Sequence, residues 1–297
     1  MKSLLTLLFL ALTQALVAQD QFDRIFVNQN WLQQHQDDKN LVLLHVAGPD
    51  NYTTGHLKNA QLIVPDEYAE ARGDLYWELP DPKKLEATLR AKGITNETVN
   101  VLYYGGELFA PAFRLYFTLD YLGLGDNTYI LDGGLPGWLA RELPVTTEVA
   151  KVVPTPVGKL NLQPNKNLLA QKEDVLGLSG QPSTCIIDAR KPDYYSGEKD
   201  GNGRYRRSGH ISNATNITWT DLVDENKFLK RKEDLKQYFT KAGVGDQQKV
   251  ITYCHVGLRA TVLYTIAKAF GHEVQLYDGS FNEWDKLDDK YLVETGN

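Results

Sequence analysis

The sequence predicts an α/β protein of two similar domains, each a parallel sheet flanked by helices on both faces. Three observations lead there. The chain repeats itself, short apolar runs of strand length alternate with helix-period patterns, and 297 residues suffice for two compact cores. Strands that alternate with helices pair in parallel, because a parallel neighbour needs a crossover, and the crossover helices then cover both faces.

The repeat rests on three separated signatures. In the first half the buried-strand run Leu41-Val42-Leu43-Leu44-His45-Val46 leads to Gly55-His56-Leu57-Lys58-Asn59-Ala60, and later to Val99-Asn100-Val101-Leu102-Tyr103-Tyr104. The second half matches it with Ile186-Ile187-Asp188-Ala189-Arg190, Gly209-His210-Ile211-Ser212-Asn213-Ala214 and Val250-Ile251-Thr252-Tyr253-Cys254. Each half closes alike, through Asp132-Gly133-Gly134 to Trp138 and through Asp278-Gly279-Ser280 to Trp284. An offset that stays at roughly 150 residues across separate signatures marks a duplicated unit.

Between these anchors the 3.6-residue period predicts helices over 83–92, 110–122, 233–242 and 259–270. Residues 144–164, punctuated by Pro154, Pro156 and Gly158, read as an extended linker. The domains are therefore expected at 21–143 and 165–297.

The N-terminus has a different character. Lys2, an apolar run from Leu4 to Leu12, and the small-residue end before Gln19-Asp20 make residues 1–18 a signal peptide, with cleavage expected after Ala18 or Ala15. The run is shorter than the ~20 residues of a spanning helix. A periplasmic or secreted protein without a membrane span is expected. A net charge of −6 argues against a nucleic-acid partner, which needs a basic footprint; the one dense basic cluster is Arg204, Arg206 and Arg207.

Two cysteines in an exported chain allow one disulfide. Their contexts differ, however. Cys185 lies in the apolar run Thr184-Cys185-Ile186-Ile187-Asp188, where a thiol acts as a small hydrophobe. Cys254 ends a strand, and His255-Val256-Gly257-Leu258-Arg259 then opens onto a helix. The carboxyl end of a parallel strand is where open α/β sheets bind ligands. There, loop N–H groups, the helix N-terminus and Arg259 would favour a thiolate, and Gly257 would let the backbone turn.

That loop, the paired Gly-His-[Leu/Ile]-x-Asn-Ala segments and the paired Asp-Gly endings resemble the rhodanese family, above all its tandem thiosulfate and 3-mercaptopyruvate sulfurtransferases. The resemblance covers nearly the whole mature chain. It implies that Cys254 carries sulfur as a persulfide stabilised by residues 255–259, and that the substrates are a small sulfur donor and a thiophilic acceptor. It also implies substrate-contacting arginines, for which Arg190 and Arg204 are the candidates. The alternative for Arg190 is a strand-end salt bridge to Asp188 or a neighbour, and the register around Arg204, Arg206 and Arg207 is open. His255 is expected to be partly protonated near neutral pH. His56, His210, Asp278 and Trp284 read as structural, since they recur in both halves.

The first half departs from the pattern, because Tyr104 or Gly105 stands where the nucleophile would be. Thiosulfate is the favoured donor and 3-mercaptopyruvate the alternative; a non-catalytic binding or redox-sensing module is a third reading. A cysteine phosphatase fits poorly, since four residues between Cys254 and Arg259 make a smaller loop than phosphate needs. No metal or cofactor is implied, for the six histidines are scattered and the cysteines lack zinc-site spacing. A monomer is expected.

Overall fold

The computed structural model describes residues 21–150, 159–246 and 248–296. The signal-peptide segment 1–18 and the landmarks Pro154, Pro156 and Gly158 lie outside the described residues.

Each half forms a five-stranded parallel sheet. The first runs in the order Phe26–Val27, Thr128–Leu131, Val99–Tyr104, Leu41–Val46, Gln61–Ile63. The second runs Thr215–Asn216, Thr184–Asp188, Lys249–Tyr253, Val274–Tyr277, Leu169–Ala170. Successive residues of a strand face opposite sides, and both sides are apolar here. Val42, Leu44, Leu102 and Tyr104 enter one core, whereas Leu43, Val101 and Tyr103 enter another with Leu32 and Trp138 from the covering helices. The second sheet repeats the division, with Ile251, Tyr253 and Tyr277 against Phe281 and Trp284 on one face.

The helices that cover the other faces of the two sheets meet. Helices Ala110–Tyr121 and Ala260–Ala269 pack against each other, and residues of both halves share one apolar core. All twelve residues of Ala110–Tyr121 are buried, as expected of a helix without a polar face. Buried Asp120 accepts from the Tyr264 hydroxyl at 2.7 Å and from Lys268 Nζ at 2.6 Å, so an ion pair that must stay intact joins the halves.

The sequence-derived elements sit within one or two residues of those observed: Pro82–Ala91, Ala110–Tyr121, Lys232–Lys241 and Ala260–Ala269. The apolar run Thr184–Asp188 forms a strand with the same bounds. It ends there because Asp188 turns its carboxylate onto the Arg190 N–H at 2.9 Å, a local bond that competes with the ladder.

The repeated signatures have repeated jobs. Tyr103 accepts the Leu57 N–H at 3.0 Å, and Tyr253 accepts the Ile211 N–H at 3.1 Å. His56 stacks on Tyr52 and His210 on Tyr195, each with Nδ1 2.8 Å from that tyrosine's carbonyl. A hairpin at Glu70–Arg72 and Leu75–Glu78 reaches to the second half, where Asn282 donates to the Asp74 carbonyl at 2.5 Å.

Candidate active site

The strand Lys249–Tyr253 delivers Cys254 to a loop that opens into the helix Ala260–Ala269. Both cysteines are free, so no disulfide joins Cys185 to Cys254. Cys254 lies at the floor of a cavity of about 290 Å³, walled by His255, Val256, Leu258, Arg259, Arg204, Tyr194, Tyr205 and Trp77.

Ser280 holds the loop in shape. Its hydroxyl accepts the N–H groups of Cys254 at 3.2 Å and Gly257 at 2.9 Å while donating to the Tyr277 carbonyl at 2.9 Å. Phe281 and Asn282 add N–H bonds to the carbonyls of Cys254 and His255, each 3.0 Å. Ser280 sits at φ +53°, a left-handed conformation that non-glycine residues rarely keep unless the surroundings impose it. Gly257, at φ +75°, does not face the cavity; a Cβ there would stand 2.7 Å from the Asp278 carbonyl and closer still to its carboxylate. Two of the loop N–H groups, those of Cys254 and Gly257, serve Ser280. Those of His255, Val256, Leu258 and Arg259 have no partner among the described residues.

The charges differ from expectation. Loss of solvent around the half-buried His255 ring, and then the charges of Arg190, Arg259 and Arg204, push its pKa down to about 2. It is therefore neutral at physiological pH, not partly protonated. The Tyr205 hydroxyl bonds its Nδ1, and Tyr194 packs edge-on at 4.6 Å. Arg190 is 1% exposed and off the cavity wall. It is paired to Asp188, donates to the Gly209 carbonyl at 2.6 Å and lies over the Phe281 ring, so its guanidinium forms the salt bridge of the alternative reading. Arg206 and Arg207 are tied to carbonyls in the segment 284–291. Arg204 alone of the three lines the cavity, with its guanidinium over Tyr76 and Tyr205, while Arg259 stands over Trp219.

Three residues that the sequence did not single out come from the first half. Trp77, at φ +65°, forms one wall of the cavity. Arg114, fully buried, reaches from helix Ala110–Tyr121 to Asp278, with Nη2 3.0 Å from Oδ2, and Nη1 lies 3.4 Å from the Gly257 carbonyl. Near this pair, burial and then the charge of Asp278 raise the Glu78 carboxyl to about 7. A signal for Arg114 existed: it and Asp120 are the only charges in an otherwise apolar helix.

The matching loop of the first half is filled. Tyr104 stands where Cys254 stands in the second, and its hydroxyl donates to the Lys227 carbonyl at 2.6 Å. Phe228 presses on Gly133 and Gly137, where any Cβ would meet its ring, and Leu229 donates its N–H to Asp132 at 2.8 Å.

A family model described as the rhodanese-like domain matches residues 28–141 and again 171–287. The chain belongs to the rhodanese family. Among curated rhodanese relatives, the 3-mercaptopyruvate sulfurtransferase of Escherichia coli K12 is 30% identical over 270 residues, covering 87% of this chain and 94% of its own. The thiosulfate sulfurtransferase of Azotobacter vinelandii is also 30% identical, over 246 residues, covering 82% of this chain and 88% of its own. The crystal structure of YnjE shares the rhodanese fold, with TM-score 0.82 at 23% identity over 93% of this chain and 69% of that one.

Proposed function

We propose that the protein is a sulfurtransferase with thiosulfate as donor, in which Cys254 carries the sulfur. The observation that carries this reading is a free cysteine at the floor of a cavity, with four unpartnered loop N–H groups and two arginines around it. In the proposed cycle the Cys254 thiolate attacks the outer sulfur of thiosulfate. The S–S bond of the donor breaks, its electron pair leaves with sulfite, and Cys254 becomes a persulfide. An acceptor such as cyanide or a thiolate then attacks the terminal sulfur, takes it, and returns Cys254 to the thiolate.

The chemistry asks for donors placed where negative charge gathers. The free N–H groups of His255, Val256, Leu258 and Arg259 meet the persulfide anion in this reading. Arg204 and Arg259 meet the dianionic donor, and neutral His255 offers only its ring. Residues 165–297 carry the chemistry, and residues 21–143 supply Trp77 and the buried support.

The relatives' names divide between two donors, and 3-mercaptopyruvate suits a site that gives separate contacts to a carboxylate and a carbonyl. Two arginines on the cavity wall favour the dianion. Initial rates with each donor, using cyanide as acceptor, test the assignment. A higher kcat/KM with thiosulfate is expected, and a higher value with 3-mercaptopyruvate overturns it.

A further inference from the structure

We infer that Arg114, a residue of the domain without a cysteine, is a positioning residue that sets the shape of the Cys254 loop from behind. The inference rests on Cys254 being the sulfur carrier. Arg114 never reaches the cavity; its guanidinium is fully buried and spans two loop supports at once. It pairs with both oxygens of Asp278 and faces the Gly257 carbonyl.

Those two groups control the loop. Asp278 is followed by Gly279 and by Ser280, whose hydroxyl holds the N–H groups of Cys254 and Gly257. The Asp278 carboxylate also lies against the Cα of Gly257, so moving it moves the turn. A planar fork can serve a carboxylate and a carbonyl together, whereas an ammonium cannot reproduce that geometry. Without the guanidinium, buried Asp278 would face Glu78 and Glu283, with Arg72 and the Lys172 partner of Glu283 left to offset them. The first half shows the contrast. Its equivalent carboxylate, Asp132, accepts backbone N–H groups and no arginine, and its loop holds no cysteine.

The test uses the full chain carrying Arg114→Lys, Arg114→Met or Asp278→Asn. Thiosulfate:cyanide kinetics are read together with melting curves and with the rate at which iodoacetamide alkylates Cys254. Arg114→Lys is expected to lower kcat by about 10- to 100-fold, because small misplacements of reacting groups are costly. The KM for thiosulfate should stay within about threefold, since Arg114 touches no substrate. Arg114→Lys combined with Asp278→Asn should lose less than the product of the single losses, as expected of one coupled pair. Should Arg114→Met fail to fold, the lysine and asparagine variants still decide. A folded Arg114→Lys with wild-type kcat and alkylation rate overturns the inference, as does full additivity in the double variant. If wild-type Cys254 takes up no sulfur, the proposed function fails instead, and an altered alkylation rate in the Arg114 variants still reports loop positioning.

Discussion

Two loops join a parallel strand to a buried helix in this molecule, one after Tyr103 and one after Tyr253, and they end in opposite states. Both follow a tyrosine whose hydroxyl holds the backbone after a Gly-His pair, and both lie beside an Asp-Gly turn with a left-handed third residue, Gly134 or Ser280. In the first loop a ring fills the site: Tyr104 covers Gly134 and bonds across to Lys227, while Phe228 closes the outside. In the second, Ser280 supplies a hydroxyl at that left-handed position, and the space above Cys254 stays open as the cavity. One scaffold thus gives a packed interface or a reactive pocket according to what stands at the strand end and at the turn. The hairpin that carries Trp77 and the turn that carries Lys227 make the same point. Trp77 and Lys227 both adopt positive φ at these faces, but Trp77 walls a cavity whereas Lys227 caps a tyrosine.

Moving the nucleophile between the loops gives the largest effect. Cys254→Ser should lower thiosulfate:cyanide turnover by at least ~10³-fold, the sulfur being the covalent carrier. Adding Tyr104→Cys to that variant should restore nothing, because Phe228 still covers the first loop. Recovery of turnover would show that the loops differ only in their nucleophile.

Gly257→Ala tests the turn. A Cβ would meet the Asp278 carboxylate and carbonyl at a residue held at φ +75°. Chemical denaturation should show a loss of about 2–3 kcal/mol, with kcat down by about 10²-fold. Ser280→Ala should cost less, about 1–2 kcal/mol and roughly tenfold in kcat, because two N–H groups lose their acceptor while the fold keeps its shape. Ser280→Gly would share the kinetic loss with less destabilisation, since glycine removes the strain of φ +53°.

The smallest effect concerns Glu78, whose carboxyl is raised from 4.5 to about 7, mainly by burial and then by the charge of Asp278. A raised carboxylate is unpenalised below 4.5 and costs stability as pH climbs through 7. Glu78→Gln should therefore melt about 2–4 °C higher than wild type at pH 8 and show no gain near pH 4. A gain at low pH instead would reverse the sign of that electrostatic account.

Much of this was legible in the sequence for physical reasons. Apolar runs of strand length and period-3.6 patterns are local, so the strands 41–46 and 99–104 and the four long helices could be placed within a residue or two. The strand-to-helix position of Cys254 followed from the same patterns. Contacts between distant segments were not legible. Nothing near Trp77 marks it as a cavity wall, and Arg114 meets Asp278 only because two buried helices bring the halves together. Burial also settled one local reading and reversed another. Asp188 lies two residues from Arg190 in the chain, yet only the fold shows that their pairing is buried. Loss of solvent, and then three nearby arginines, make His255 neutral, although its neighbour in sequence is the candidate nucleophile.

The central claim is that an open, supported Cys254 carries sulfur and that the plugged first loop does not. Intact-protein and peptide mass spectrometry after brief thiosulfate treatment addresses it directly. The account predicts one added sulfur atom, located on Cys254, released by cyanide and missing in Cys254→Ser. An unmodified Cys254, or sulfur carried on Cys185 instead, would contradict it.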